Sequence, residues 1–274
     1  MKLFALIAVT MCAFAANSVL ARAGVFMFAM DPLLFAGVRL ASGAVMLAVL
    51  VFLRGGWVPV DRARFITASM LLLYLVPFSI AYLTLPSGVG ALILFGIVQI
   101  TMFGGSYLAK TQPSARQWAG MAVAMAGLGW VLWPSERMML DWVGVIFMVV
   151  SGFGWGMFSM RGRGSKDPLG DMALSFILSA PIAIILMLIG DGWSFGGVVT
   201  AVVSGAVTSG LGYALWYRVL PQIAATTGAV AQLSVPVIAI LAGAILLSEA
   251  ITLDVVLASS VVLGGIAVAV LKRT

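Results

Sequence analysis

Very few polar side chains interrupt the apolar runs of this chain, so any chemistry must use them. Arg39 lies about eight residues into a run that opens at Pro32, roughly 12 Å deep at 1.5 Å per helical residue. A charge at that depth in hydrocarbon is costly and marks a functional candidate. A guanidinium there suits a carboxylate or phosphate, both of which it grips with paired hydrogen bonds. Snorkelling toward one surface, or bonding to backbone carbonyls, are the structural alternatives. Gln99 and Gln232 fall near the middles of two further runs, and Pro236 follows Gln232 by four residues. Proline removes one helical hydrogen bond and clashes with the carbonyl four residues back. It would free the Gln232 carbonyl beside an amide, as in the broken helices around carrier substrates; interhelical amide bonding is the competing use. Asn17 sits among Ala13, Ala15, Ala16 and Ser18, a small face suited to close approach of another helix or a substrate. Tyr82, Trp155 and Tyr213 are candidates to line a cavity for amphipathic organic molecules. Trp216 and Tyr217 read as interfacial anchors. Pro77, Pro181 and Pro236 are candidate hinges. The glycines at 152, 154, 156, 205 and 210 read as packing faces. Glu249 and Asp254 read as capping or structural groups.

What is missing narrows the chemistry further. The chain has no histidine and a single cysteine, Cys12. Ser-His triads, Cys-His pairs, His-ligated zinc and internal disulfides are therefore excluded. No metal site, cofactor or enzymatic activity is expected. A phosphate-binding glycine-lysine-serine loop is absent, so the chain does not hydrolyse nucleotides itself. No carboxylate falls at mid-run, where ion- and proton-coupled pumps commonly carry one.

The elements that must position these groups follow from composition. Of 274 residues 63% are apolar and 9% charged, against roughly 25% charged in a soluble domain. The solvent for most of the chain must be lipid. A helix needs about 20 apolar residues to cross it, and ten runs qualify: 3–21, 32–53, 64–84, 87–109, 116–133, 140–160, 171–190, 195–217, 222–247 and 253–271. Asp31-Pro32, Arg54-Gly55-Gly56, Pro86-Ser87-Gly88, Gln112-Pro113-Ser114, Pro134-Ser135-Glu136, Asp167-Pro168 and Asp191-Gly192 punctuate them as turns. Lys2, the apolar stretch after it and Ala21-Arg22-Ala23 imitate a secretory signal with its cleavage site. Recurrence of the same segment later in the chain argues against cleavage.

That recurrence organises the whole. Phe14 precedes Arg22 by eight residues and Phe153 precedes Arg161 by the same spacing; each pair is followed by an Asp-Pro. Gly90 to Ser114 can be laid on Gly228 to Thr252 without a gap, Gly105 falling on Gly243. Two halves, 1–134 and 135–274, of five runs each are expected. An odd number of spans makes the second half enter the membrane in the opposite sense, giving an inverted repeat. With the N-terminus inside, twelve basic residues fall in inner segments, among them Lys110, Arg163, Lys272 and Arg273, and two, Arg22 and Arg137, in outer loops. This bias puts both termini in the cytoplasm and explains the net charge of +6 without nucleic acid.

Residues Leu211 to Tyr217, Ala224-Ala225-Thr226, Ser234-Val235-Pro236, Leu247-Ser248-Glu249 and Leu263-Gly264-Gly265 resemble the drug/metabolite transporter superfamily, specifically its ten-span EamA-type members. Ala13 to Arg22, Arg39, Gly88 to Ala91 and Trp118 to Gly120 are similar in the first half. The first half departs twice: the proline of the fourth span falls near Val98 or Gln99, and the glutamate at that span's end falls at Thr111. The resemblance implies an all-α integral membrane protein, ten helices in two inverted repeats around a central cavity, with the fifth and tenth spans peripheral. It implies alternating-access transport of small organic metabolites such as amino acids. The expected protein is an exporter, facilitator or exchanger in a bacterial inner membrane. Its partners are a small-molecule substrate and the bilayer, and it acts as a monomer or weak homo-oligomer. A nucleotide-sugar or sugar-phosphate carrier, and a non-transport membrane subunit, remain alternatives. The candidate substrate residues are Asn17, Arg39, Tyr82, Gln99, Trp155, Tyr213 and Gln232.

Overall fold

The computed structural model describes residues 2–108, 114–132, 140–162, 165–219, 222–223 and 231–270. Among the described residues the chain is helical, with no strand. The helices are α1 (Lys2–Met27), α2 (Pro32–Arg54), α3 (Arg62–Ala81), α4 (Ser87–Leu108), α5 (Ala115–Leu132), α6 (Trp142–Gly162), α7 (Pro168–Ile189), α8 (Phe195–Val219), α9 (Ser234–Leu247) and α10 (Leu253–Val270). Seven of them, α1 to α4 and α6 to α8, are long and apolar enough to cross a membrane; α9 and α10 are apolar but shorter. Within the expected ninth run from 222, residues 231–232 are helical, the chain breaks at Leu233 and helix resumes at Ser234. The turns at Gln112-Pro113 and Pro134-Ser135-Glu136, the boundary at 134/135, Thr111, Ala224-Ala225-Thr226, Gly228 and the basic residues Lys110, Arg137, Arg163, Lys272 and Arg273 lie outside the described residues.

Local chemistry sets the helix ends. Asp31 accepts from the backbone N–H groups of Leu33 (2.9 Å) and Leu34 (3.0 Å), with Pro32 in the first turn, where its missing donor costs nothing. Asp167 repeats the device before Pro168, accepting from Gly170 at 3.1 Å. Gly55, at φ 79, ends α2 in a conformation that disfavours a side chain. α3 ends one turn after Pro77, at Ala81, three residues short of the expected 84. Pro181 lies inside α7, and Pro236 falls in the first turn of α9. The turn at Leu233 separates helical residues 231–232 from α9, three residues before Pro236.

Lipid tails are as apolar as leucine, so close packing of small residues must hold helices together. Gly37 meets the Ala183 carbonyl and Gly43 meets the Phe176 ring, which sets α2 antiparallel along α7. Gly120 and Gly127 bring α5 antiparallel onto α10 at Ala269 and Val262, and few contacts tie this pair to the rest. Gly154 lies against the backbone of Leu73 and Tyr74 between α6 and α3. Large apolar side chains such as Phe52, Leu188 and Phe195 point outward. The two recurring phenylalanines take different places: Phe14 is central, whereas Phe153 faces outward.

At one end of the bundle Arg54 grips Asp167 with two bonds of 2.5 and 2.7 Å. The hydrogen bond from Arg54, aided by the Gly170 N–H, holds the Asp167 carboxyl below the usual carboxylate range. Its stabilising contribution is therefore present at neutral pH and lost as pH falls through that lowered value. Asp167→Ala removes a cap and an ion pair and should lower thermal stability by about 1–2 kcal/mol. Asp31→Ala removes a cap alone and should cost less. Thermal unfolding in detergent should show this difference at pH 7 and its loss in acid.

Candidate substrate site

The polar centre is built from three helices around Arg39. Its side chain is fully buried on α2. Nε and Nη2 donate to the Ser209 hydroxyl at 3.2 and 3.1 Å, and Nη2 donates to the Tyr74 hydroxyl at 3.2 Å. The guanidinium also lies 4.9 Å from the Phe78 ring centre and 5.6 Å from that of Tyr74. It does not snorkel. Beside it, Asn17 Oδ1 on α1 accepts from Thr208 (2.6 Å), Ser204 (2.8 Å) and Ser209 (3.3 Å), all on α8.

Winding explains how three hydroxyls converge. α8 passes through a wide π turn over Val203–Leu211. In regular α-helix a residue five positions on is turned about 140° away; i→i+5 winding returns it to the same face. Ser204 and Ser209 therefore point the same way. Gly205 is needed at this crossing, because a Cβ there would collide with the Arg39 carbonyl and the Ser42 hydroxyl.

Rings close the rest. Phe14 meets Trp155, Tyr213 and Trp216 edge-on at 6.0, 5.6 and 5.7 Å. Trp155 lies 4.9 Å from Tyr74 and 5.0 Å from Tyr213, whose hydroxyl donates to that of Tyr74 at 3.3 Å. Between Phe14, Asn17, Tyr74, Phe95, Trp155 and Tyr213 remains a void of ≈10 Å³, about one water's worth. The expected open central cavity is thus shut, because aromatic side chains fill it. Wider spaces lie at the two ends of the bundle. One, ≈240 Å³, is lined by Arg64, Arg161, Asp171, Met172 and Tyr217. A narrow space of ≈30 Å³ adjoins both it and the centre, sharing Met172 and Tyr217 with the first and Trp155 and Tyr213 with the second. The other wide space, ≈400 Å³, lies between Arg22, Thr84, Glu249 and Thr252.

Among the described residues the ion pairs join Arg22 to Glu249, Arg54 to Asp167, and Arg64 to Asp61 and Asp171; none reaches Arg39. Arg39 Nη1, Gln99 Nε2 and Trp155 Nε1 are buried without a hydrogen-bond partner. All three are N–H donors, so this interior is short of acceptors.

Asn17, Arg39, Trp155 and Tyr213 come together. Tyr82 is displaced from them toward the Glu249 end, buried under Phe78 at 4.8 Å with its hydroxyl donating to the Ser87 carbonyl. Gln99 is buried on α4, and Gln232 lines the narrow space. Trp216 is no interfacial anchor: it is buried against Phe14, and Tyr217 lines the ≈240 Å³ space. Tyr74, Ser204, Thr208 and Ser209 were not singled out by sequence reasoning. A tyrosine in the middle of the third run, and the 204/208 hydroxyl pair on one helical face, were the available signals.

Comparison with known proteins decides what this fold is. Residues 142–271 match the model of the EamA-like transporter family. A relative named uncharacterized protein PA1977, from Pseudomonas aeruginosa, is 40% identical over 266 residues, covering 96% of this chain and 92% of its own. The chain belongs to the EamA-like transporter family. An uncharacterized transporter of Bacillus subtilis, YoaV, is 23% identical over 251 residues, and one of Archaeoglobus fulgidus 24% over 252, each aligned over 86% or more of both chains. A solved structure titled only "Crystal structure of protein" shares the fold, with a TM-score of 0.70 at 16% identity over 97% of this chain and 98% of its own. This EamA-like protein is therefore a multi-pass membrane transporter.

Replacing Asn17 by Leu removes the acceptor on which three hydroxyls converge. The transporter should lose about 1–2 kcal/mol, and Ser204→Ala less, since Asn17 keeps two donors. Thermal unfolding of the two variants in one detergent checks the order.

Proposed function

We propose that this EamA-like transporter is an alternating-access carrier of small organic metabolites bearing a carboxylate, amino acids first among them. It works as a facilitator or exchanger and serves for export down the substrate's own gradient. The supporting observation is Arg39: a fully buried cation with no acid beside it and one Nη without a partner. An uncompensated buried charge costs several kcal/mol, which two aromatic faces and neutral hydroxyls offset in part. An arriving carboxylate supplies the missing charge and acceptors. The aromatic rings around it take the apolar part of such a substrate.

Ten spans in two inverted repeats fit this mechanism. In support, the equivalent helices α2 and α7, and likewise α5 and α10, pack antiparallel, as a twofold axis in the membrane plane requires. The charge bias favours both termini in the cytoplasm of a bacterial cell, with the carrier in the inner membrane. A single polypeptide contains the whole polar centre, so a monomer suffices.

Purified protein in proteoliposomes should show saturable, counterflow-stimulated uptake of an amino acid. Arg39→Gln should cut that flux roughly thirtyfold or more while the protein stays monodisperse. Uptake of a sugar phosphate in its place would move the substrate class to phosphates. Unchanged flux in folded Arg39→Gln would remove Arg39 from the site.

A further inference from the structure

Beside the ≈400 Å³ space, one carboxylate gathers groups from both halves of the chain. Glu249 follows Ser248, whose left-handed backbone (φ 56) ends α9 and turns the chain sharply. Both Glu249 carboxylate oxygens accept from the Ser87 backbone N–H at 2.9 Å, and Oε2 accepts from the Ser87 hydroxyl at 2.6 Å. Ser87 opens α4, so the carboxylate meets N–H groups that the helix leaves unpaired and the positive end of its dipole. On its other side Oε1 lies 3.5 Å from Arg22 Nε. Arg22 Nη1 in turn donates to the Tyr82 and Leu83 carbonyls, at 3.0 and 2.8 Å, just past the end of α3. Glu249 therefore clamps α1, the end of α3 and the start of α4 to the α9–α10 link.

The clamp lies directly over the central rings. Tyr82 is buried beneath it, bonded to the Ser87 carbonyl and stacked edge-on upon Phe78. The α4–α9 crossing is tight enough that Gly88 and Gly243 have no room for a Cβ. The matching place at the opposite end differs in sequence. The offset that lays Gly90 on Gly228 sets Thr111 against Glu249 and Ala225 against Ser87, and Arg161 corresponds to Arg22. At the two corresponding positions the sequence has Thr111 and Ala225 in place of the carboxylate and the serine, and Arg161 lines the ≈240 Å³ space leading inward.

We infer that Glu249 is the gate residue of the bundle end opposite the termini, held shut by Ser87 and Arg22. At rest the transporter admits its substrate from the termini side, and opening the other side requires the Glu249 bonds to break. This rests on the carrier reading and names the residue that governs one of its two gates.

Side-resolved labelling tests the gate without any substrate, so its outcome is separate from that of the counterflow assay. The lone cysteine is removed as Cys12→Ser, and Ser18→Cys, at a residue lining the central void, becomes the probe. A membrane-impermeant charged thiol reagent is applied to sealed vesicles of either orientation. The parent should label faster from the termini side. Glu249→Ala should raise the rate from the opposite side at least about tenfold, the scale of losing hydrogen bonds to a charged group, and Glu249→Gln should raise it less. If Glu249→Ala fails to fold, Arg22→Gln releases the same clamp from its other partner and should give the same one-sided rise. An unchanged rate in a folded variant overturns the inference. So does an equal rise from both sides, which would mean a loosened bundle instead of an opened gate.

Discussion

A guanidinium buried without a carboxylate is the constraint around which this molecule is arranged. Arg39 cannot be left bare in hydrocarbon, so three helices converge on it: α8 with the Ser209 hydroxyl, α3 with the phenol of Tyr74 and the ring of Phe78 and, through Ser209, α1 with the amide of Asn17. The wide turn in α8 exists at the one stretch where three hydroxyls must face a single direction. None of these partners carries a negative charge. The centre is satisfied well enough to fold and left electrically incomplete, which is what binding an anion requires.

Hydrocarbon as solvent also explains how the helices meet. No hydrophobic force draws one apolar helix to another inside a bilayer. Glycines at 37, 43, 120, 127 and 154 replace it with backbone contact, while charged pairs collect where helices end. The interior contributes specificity and the ends contribute ties between the two halves. In the proposed cycle the ties are what must be made and broken, and the glycine faces are what can slide.

Much of this was legible before any coordinates. Apolar runs and Asp-Pro punctuation locate most helices to within a few residues, because proline and a capping carboxylate act locally. Arg39 stood out because a charge amid apolar residues has no ordinary explanation. The remainder depended on three dimensions. Ser204, Thr208 and Ser209 escaped notice because a hydroxyl in a membrane helix usually bonds its own backbone, and it is the π winding of α8 that brings Ser209 round to the other two. Trp216 was misassigned since its nearness to a span end says nothing of the direction it faces. Among the described residues rings on separate helices close the expected cavity, and no spacing in one chain reports how side chains from five helices meet.

Glycine at position 205 carries a further meaning. A hydrogen atom in place of a methyl group lets the α8 backbone rest on the Arg39 carbonyl. That contact brings Ser209 within reach of the guanidinium. Among the described residues, the solvation of the one fully buried charge is therefore set by a residue with no side chain of its own. A mutation that adds one carbon there alters the electrostatics of the centre by pushing Ser209 away from it, so in the proposed carrier steric tolerance at this crossing becomes a dial on the charge the site can hold.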